Sequence, residues 1–243
     1  MPANIPSSFF EWVSFLLDKY GALFFKGTVV TLEVALTGTV FGFLLGLIVA
    51  IVRTIPLSKK SRAKRIALHV CRFLLGAYIE VFRGTPMIVQ SMVIYYGLMQ
   101  VGVKMPVLAA AIFIVSINTG AYMAEIIRGG IQSVDPGQME AARSLGLTYG
   151  MSMRKVVLPQ AIRNMVPSII NQFIITLKDT SILSVIGFPE LVNQAKNVVA
   201  NTFMSFQTWG IVAIMYLVII LALSRSAKVL EKRLNRGRGH MPA

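Results

Sequence analysis

The chain has 243 residues, of which 55% are hydrophobic and only 14% charged, with a mean hydropathy of +0.68. A soluble domain of this length carries about a quarter charged residues, so the composition points to a bilayer as solvent and away from a water-soluble enzyme. The net charge of +14 comes from bases gathered at the ends of apolar runs, which is a membrane-topology pattern and not a nucleic-acid surface.

Residues 1–21 mix aromatic and polar groups (Phe9, Phe10, Trp12, Phe15, Tyr20), as expected of an amphipathic segment lying at the membrane surface. The start has no basic region followed by a cleavage site, so the whole chain is expected to be mature. Residues 27–52 form an apolar run long enough to span a core of about 30 Å. Within it Gly38, Gly42 and Gly46 recur every four residues, the small-residue spacing of close helix packing. Arg53, Lys59, Lys60, Arg62, Lys64 and Arg65 then mark a loop.

Residues 66–100 are apolar but too long for one straight span, and Phe82-Arg83-Gly84-Thr85-Pro86 breaks them. Pro86 removes a donor, restricts Thr85, and Gly84 tolerates unusual dihedrals. A simple kink and a break facing a watery cavity both fit these residues. Glu80 and Arg83, three apart, are expected to pair on one helix face. Further spans are expected over 106–127, 160–187 with a kink at Pro167, and 208–223, the last followed by a basic tail that includes Arg236 and Arg238. Glu125 sits one turn from the end of its span, where a cap and a gate are both open readings.

Between the third and fourth spans lies a polar island, residues 135–159. Asp135 suits an N-cap, Pro136 the first helical position, and Gly146 a left-handed residue after the last turn. Thr148 and Ser152 offer caps for a second helix, with Pro159 expected to punctuate it. Glu140, Ala141 and Ala142, then Gly146, Val156 and Leu158-Pro159, resemble the EAA motif of ABC importer permeases, with Val156 where that family usually has isoleucine. In that family the motif forms the coupling helix that docks on an ATPase subunit. The resemblance therefore assigns ATPase coupling to Glu140, Ala141, Ala142, Arg143, Leu145 and Gly146, within a coupling region over 137–159.

Two further stretches carry the resemblance towards the permeases of polar amino acids. One is Phe82-Arg83-Gly84-Thr85-Pro86, and the other runs from Asn171-Gln172 to Lys178-Asp179-Thr180-Ser181. An adjacent cation and anion complement a zwitterion, although a structural pair at the outer interface fits equally. The resemblance implies a substrate site drawn from Gly84, Thr85, Pro86, Asn118, Gln172, Lys178, Asp179, Thr180 and Ser181. Asn118 equally suits helix–helix glue. Neutral Gln172 favours a glutamine-like substrate over a cationic one.

The expectation is thus an all-α membrane protein, one domain over 1–243. It has about five transmembrane helices, with the N-terminus outside and the C-terminus inside a bacterial inner membrane. No phosphate loop, catalytic constellation or metal-ligand spacing is present, and Cys71 is the single cysteine. The chain is not expected to be an enzyme or to hold a cofactor: ATP and magnesium belong on a separate ATPase. The resemblance implies a second permease subunit, two ATPase subunits and an external amino acid binding protein, with lipid around them and no nucleic acid. The alternative is an ion-coupled secondary transporter, which calls for an ion relay and internal repeats.

Overall fold

The structure, a computed structural model, describes residues 8–54 and 62–235. Residues 1–7, Lys59, Lys60, Arg236 and Arg238 lie outside the described residues. Every regular element among those described is helical: α1 (Phe9–Thr54), α2 (Arg62–Gly84), α3 (Met87–Gln100), α4 (Val107–Gln132), α5 (Pro136–Ser144), α6 (Tyr149–Ser152), α7 (Leu158–Asp179), α8 (Leu191–Thr202) and α9 (Ser205–Asn235). A π turn (Met153–Val157) joins α6 to α7, and a 3-10 turn (Thr180–Ile186) follows α7. Among the described residues four helical stretches are long and apolar enough to cross a membrane: Phe9–Thr54, Val107–Gln132, Tyr149–Ile186 and Ser205–Lys232. Exposed Phe25, Phe41 and Ile48 on α1, and Ile214, Leu217 and Val218 on α9, give them the apolar exterior that lipid requires. The fold is an all-α membrane protein.

Three expectations change. Residues 9–21 form no separate surface segment, because α1 runs unbroken for 46 residues, about 69 Å at the usual rise. No proline interrupts it, and Leu16 and Phe24 share one buried cluster across the expected boundary. Arg62, Lys64 and Arg65 belong to α2 and not to a loop. Pro159 does not stop the helix that Thr148 starts. The wider π turn, closed by the N–H of Leu158 donating to Met153 O, sits directly before the residue with no N–H to give, and α7 continues beyond it.

The chain divides into two units whose boundaries fall inside α1, α4, α7 and α9 and at the break between α2 and α3. In the first unit (8–38, 87–115, 174–224), Val34, Ala111, Ile114 and Val115 pack with Leu183, Ile186 and Phe188. Leu16 and Phe24 pack with Leu191, Val198 and Ile211. Gly27 permits the start of α8 to lie against α1, since a Cβ there would come 2.9 Å from Leu191 Cα. Glu190 caps α8, its carboxylate accepting from the N–H groups of Val192 (2.8 Å) and Asn193 (2.7 Å).

In the second unit (39–54, 62–86, 116–173, 225–235), Gly42 and Gly46 of α1 pack closely, as their spacing implies. A Cβ on Gly46 would lie 2.6 Å from Met123 Cβ, and one on Gly42 would lie 2.9 Å from Thr119 Cβ. Lipid tails are as apolar as the helices, so close contact of this kind, more than water release, holds α1 to α4. Tyr78 ties α2 to the same place by donating to Ile117 O at 2.6 Å.

Candidate functional site

The polar island folds as its local chemistry dictates. Asp135 caps α5 by accepting from Gly137 N at 2.7 Å, and Pro136 occupies the first turn. At the other end Gly146 takes φ +83°, which lets its N–H donate to Arg143 O (3.0 Å) and that of Leu147 to Ala142 O (3.3 Å). This is the double closure of a Schellman turn. Thr148 then caps α6 through Met151 N at 3.3 Å. Of the six residues proposed for coupling, Ala142 faces inward, while Glu140, Ala141, Arg143, Gly146 and Leu145 are exposed. Leu145 is 84% exposed, an apolar side chain held out on a rigid double-capped turn. A cleft of about 330 Å³ opens between the start of α5 and the α6–π turn segment, lined by Thr54, Ile131, Pro136, Met139, Tyr149 and Met153 among others. The turn thus exposes charged Glu140 and Arg143 together with apolar Leu145.

The expected helix break also forms. α2 ends at Gly84 and α3 begins at Met87. Gly84, Thr85 and Pro86 are exposed, but Gly84 does not occupy the left-handed region that Gly102, Gly146 and Gly187 use, so its dihedral freedom is not what makes the break. The freed carbonyls of α2 find donors: Thr85 Oγ1 gives to Val81 O at 2.7 Å, and Asn118 Nδ2 to Phe82 O at 3.4 Å. Asn118 therefore joins α4 to the break, the helix–helix role open to it from sequence.

The ionic centre of this unit was assigned differently by sequence. Arg83 does not pair with Glu80. Its guanidinium lies over the Tyr122 ring (5.5 Å) and reaches to 4.0 Å from Glu125. Among the described residues Glu125 gathers three arginines. Arg53 from the end of α1 donates at 2.6 Å, and Arg128, one turn on, chelates it with its closest contact at 2.6 Å. Burial of a carboxylate at membrane depth is costly, and three guanidiniums from α1, α2 and α4 offset that cost. Beyond Glu125 opens a cleft of about 280 Å³ lined by Gly129, Gly130, Ser133, Asn164 and Ser168. Sequence reasoning named Glu125 but missed its partners: Arg53 was counted only towards topology.

In the first unit, the chain passes from α7 into the 3-10 turn at Asp179. Lys178 is exposed, Asp179 and Ser181 half-buried, and Thr180 buried. Thr180 Oγ1 donates to Leu177 O (2.8 Å) and Ser181 Oγ to Lys178 O (2.6 Å). Both hydroxyl protons are thus engaged within the turn, leaving the oxygens as acceptors. Lys178 is the cationic donor of the stretch and Asp179 its anion, an arrangement suited to a ligand with both charges. Gln172, in the second unit, is buried in α7. Lys178 to Ser181 thus lie in one unit, and Gly84 to Pro86, Asn118 and Gln172 in the other.

Comparison with known proteins gives a consistent picture. Residues 38–236 match the family of binding-protein-dependent transport system inner membrane components. The glutamine transport system permease protein of Escherichia coli (strain K12) is 38% identical over 214 residues, 87% of this chain and 93% of that one. A putative glutamine transport system permease protein of Rickettsia conorii is 33% identical over 223 residues, 90% and 97% of the two chains. Among solved structures, an amino acid ABC transporter crystallised with histidines superposes with a TM-score of 0.83 at 41% identity, covering 94% of this chain and all of that one. An inward-facing methionine ABC transporter shares the fold at a TM-score of 0.69 and 19% identity, covering 87% and 96%.

Proposed function

The chain belongs to the family of binding-protein-dependent transport system inner membrane components, and from that premise we propose that it imports a glutamine-like amino acid by alternating access. It is a translocation subunit of the ABC permease type, not an enzyme. In the proposed assembly it works in a bacterial inner membrane with a second permease subunit, two ATPase subunits that hold ATP and magnesium, and an external amino acid binding protein. The count of bases on either side of the spans favours the N-terminus outside and the C-terminus inside.

One observation carries the coupling role: a turn capped by Asp135 and Thr148 and closed at Gly146, which presents Glu140, Arg143 and Leu145 outward. A lever must be rigid to transmit motion, and caps at both ends supply that rigidity. Closure of the ATPases would pull this turn, and α4 and α7, which flank it in the chain, would carry the motion into the membrane. Lys178 and Asp179 are proposed to meet the carboxylate and ammonium common to all amino acids. Gly84 to Pro86, Asn118, Thr180 and Ser181 would line the path, and Gln172 would set identity.

The test is reconstitution of the whole importer in vesicles. ATPase activity that rises with liganded binding protein, together with uptake that survives collapse of ion gradients while ATP is supplied, is the expected result. Uptake that follows an ion gradient without ATP would overturn the reading.

A further inference from the structure

Arg62, Arg65, His69 and Arg72 recur at intervals of three and four along the first half of α2, which places them on one stripe of that helix. Ile66, Val70, Phe73 and Leu74 form the adjacent stripe and all are exposed, Phe73 by 75%. A helix projecting into water would be polar all round, and a spanning helix would not carry bases over three turns. One contact places this segment along α1: Arg72 Nε donates to Val52 O at 3.4 Å, two residues before α1 ends at Thr54. Residues 62–72 therefore lie at or beyond the end of α1. Residues 73–84 continue the helix from there for about 18 Å.

We propose that residues 62–74 lie obliquely in the membrane–water interface, with the basic stripe bound to anionic phospholipid headgroups and the apolar stripe among the upper acyl chains. The side concerned, the cytoplasmic leaflet, rests on the permease reading above. Charge complementarity selects the lipid: the stripe itself carries no acid, and the exposed apolar face beside it has no use for a soluble phosphate.

The experiment uses the complete importer in nanodiscs of phosphatidylcholine alone or with phosphatidylglycerol. Nitroxide labels at Ile66→Cys, Val70→Cys, Phe73→Cys, Arg65→Cys and His69→Cys, in a Cys71→Ser background, report depth. Relaxation by oxygen should peak at Val70 and Phe73, and relaxation by a water-soluble nickel chelate at Arg65 and His69. Uniform access to the chelate, or shielding from both as by a docked protein, would overturn the proposal. So would a steady increase in depth from 65 to 73. Native mass spectrometry supplies the charge arm. Phosphatidylglycerol should be retained over phosphatidylcholine, falling roughly fivefold per charge in Arg62→Gln, Arg65→Gln and Arg72→Gln combined, and surviving in the Arg→Lys set. Equal retention in the glutamine set would refute it. ATP-driven uptake measured in the same preparation tests the permease reading separately, since lipid retention does not depend on it.

Discussion

Glu125 accepts Arg53 at 2.6 Å, although 72 residues separate the two in sequence. That contact joins the end of α1 to α4 and, with Arg83 and Arg128, makes one carboxylate the counterion of three guanidiniums.

Glu125→Gln should therefore strand three like charges. Removing one partner of a fully buried pair costs about 3–5 kcal/mol. Here partial exposure of all four side chains reduces that to about 2 kcal/mol. The thermal midpoint of the detergent-purified complex should fall accordingly, and Arg53→Gln alone should cost less because two arginines still serve the carboxylate. A double-mutant cycle giving no coupling between Glu125 and Arg53 would sink the claim.

This pairing also marks where the sequence stops being legible. Asp135, Thr148 and Gly146 could be read directly, because caps act on the next two or three residues and need no knowledge of the fold. The break at Thr85-Pro86 was equally local. Glu80 and Arg83 were misread by the same local logic. Spacing brings them to one helix face, but Tyr122 and Glu125, on another helix, compete for the guanidinium and win. The boundary near residue 21 failed for a related reason. Polar side chains suggested a separate segment, while packing of Leu16 and Phe24 in one cluster keeps the helix running.

Gly146→Val tests the coupling turn. A branched side chain at φ +83° costs about 1–2 kcal/mol of backbone strain, enough to undo the Schellman closure but not the surrounding helices. Glu140→Lys reverses an exposed charge without that strain. Both variants should insert normally and lose stimulated ATPase and uptake by tenfold or more. Unchanged rates in both at normal expression would remove the coupling role.

Glu190 makes stability depend on pH. Burial pushes its carboxyl up to about 7, against the smaller opposing effects of the Val192 and Asn193 N–H groups, the Tyr216 hydroxyl and Lys196. Folded protein then holds a proton that the unfolded chain releases near 4.5, so this contribution is full below pH 4.5 and is lost as pH rises through about 7. Glu190→Gln should abolish that fall between pH 5 and 7 in thermal-shift measurements. A variant that keeps the wild-type pH dependence would exonerate Glu190.

Orientation is tested with single cysteines in a Cys71→Ser background. Leu145→Cys, on the exposed turn, should react only with reagents that cross the membrane, whereas Lys104→Cys should react with impermeant reagents applied to intact cells. Labelling of Leu145→Cys by an impermeant reagent would invert the topology and take the coupling argument with it.

The proposed function assigns selectivity to Gln172. In the proposed site Lys178 and Asp179 would meet charges that every amino acid carries, so they would decide whether a substrate binds and not which one. Gln172 is buried, neutral, and able both to donate and to accept, which suits an amide side chain. A buried site for arginine or lysine would instead need a carboxylate at that position, since a cation taken out of water without a partner is heavily penalised. Gln172→Glu should therefore weaken glutamine by up to roughly tenfold, about the value of one neutral buried hydrogen bond, and improve tolerance of arginine. In the proposed assembly an external binding protein would filter substrates first, so the measurement belongs in a counterflow assay on the reconstituted permease without it. If wild type there exchanges arginine at least as well as glutamine, Gln172 does not read the side chain, and the identity of the substrate is set elsewhere in the path.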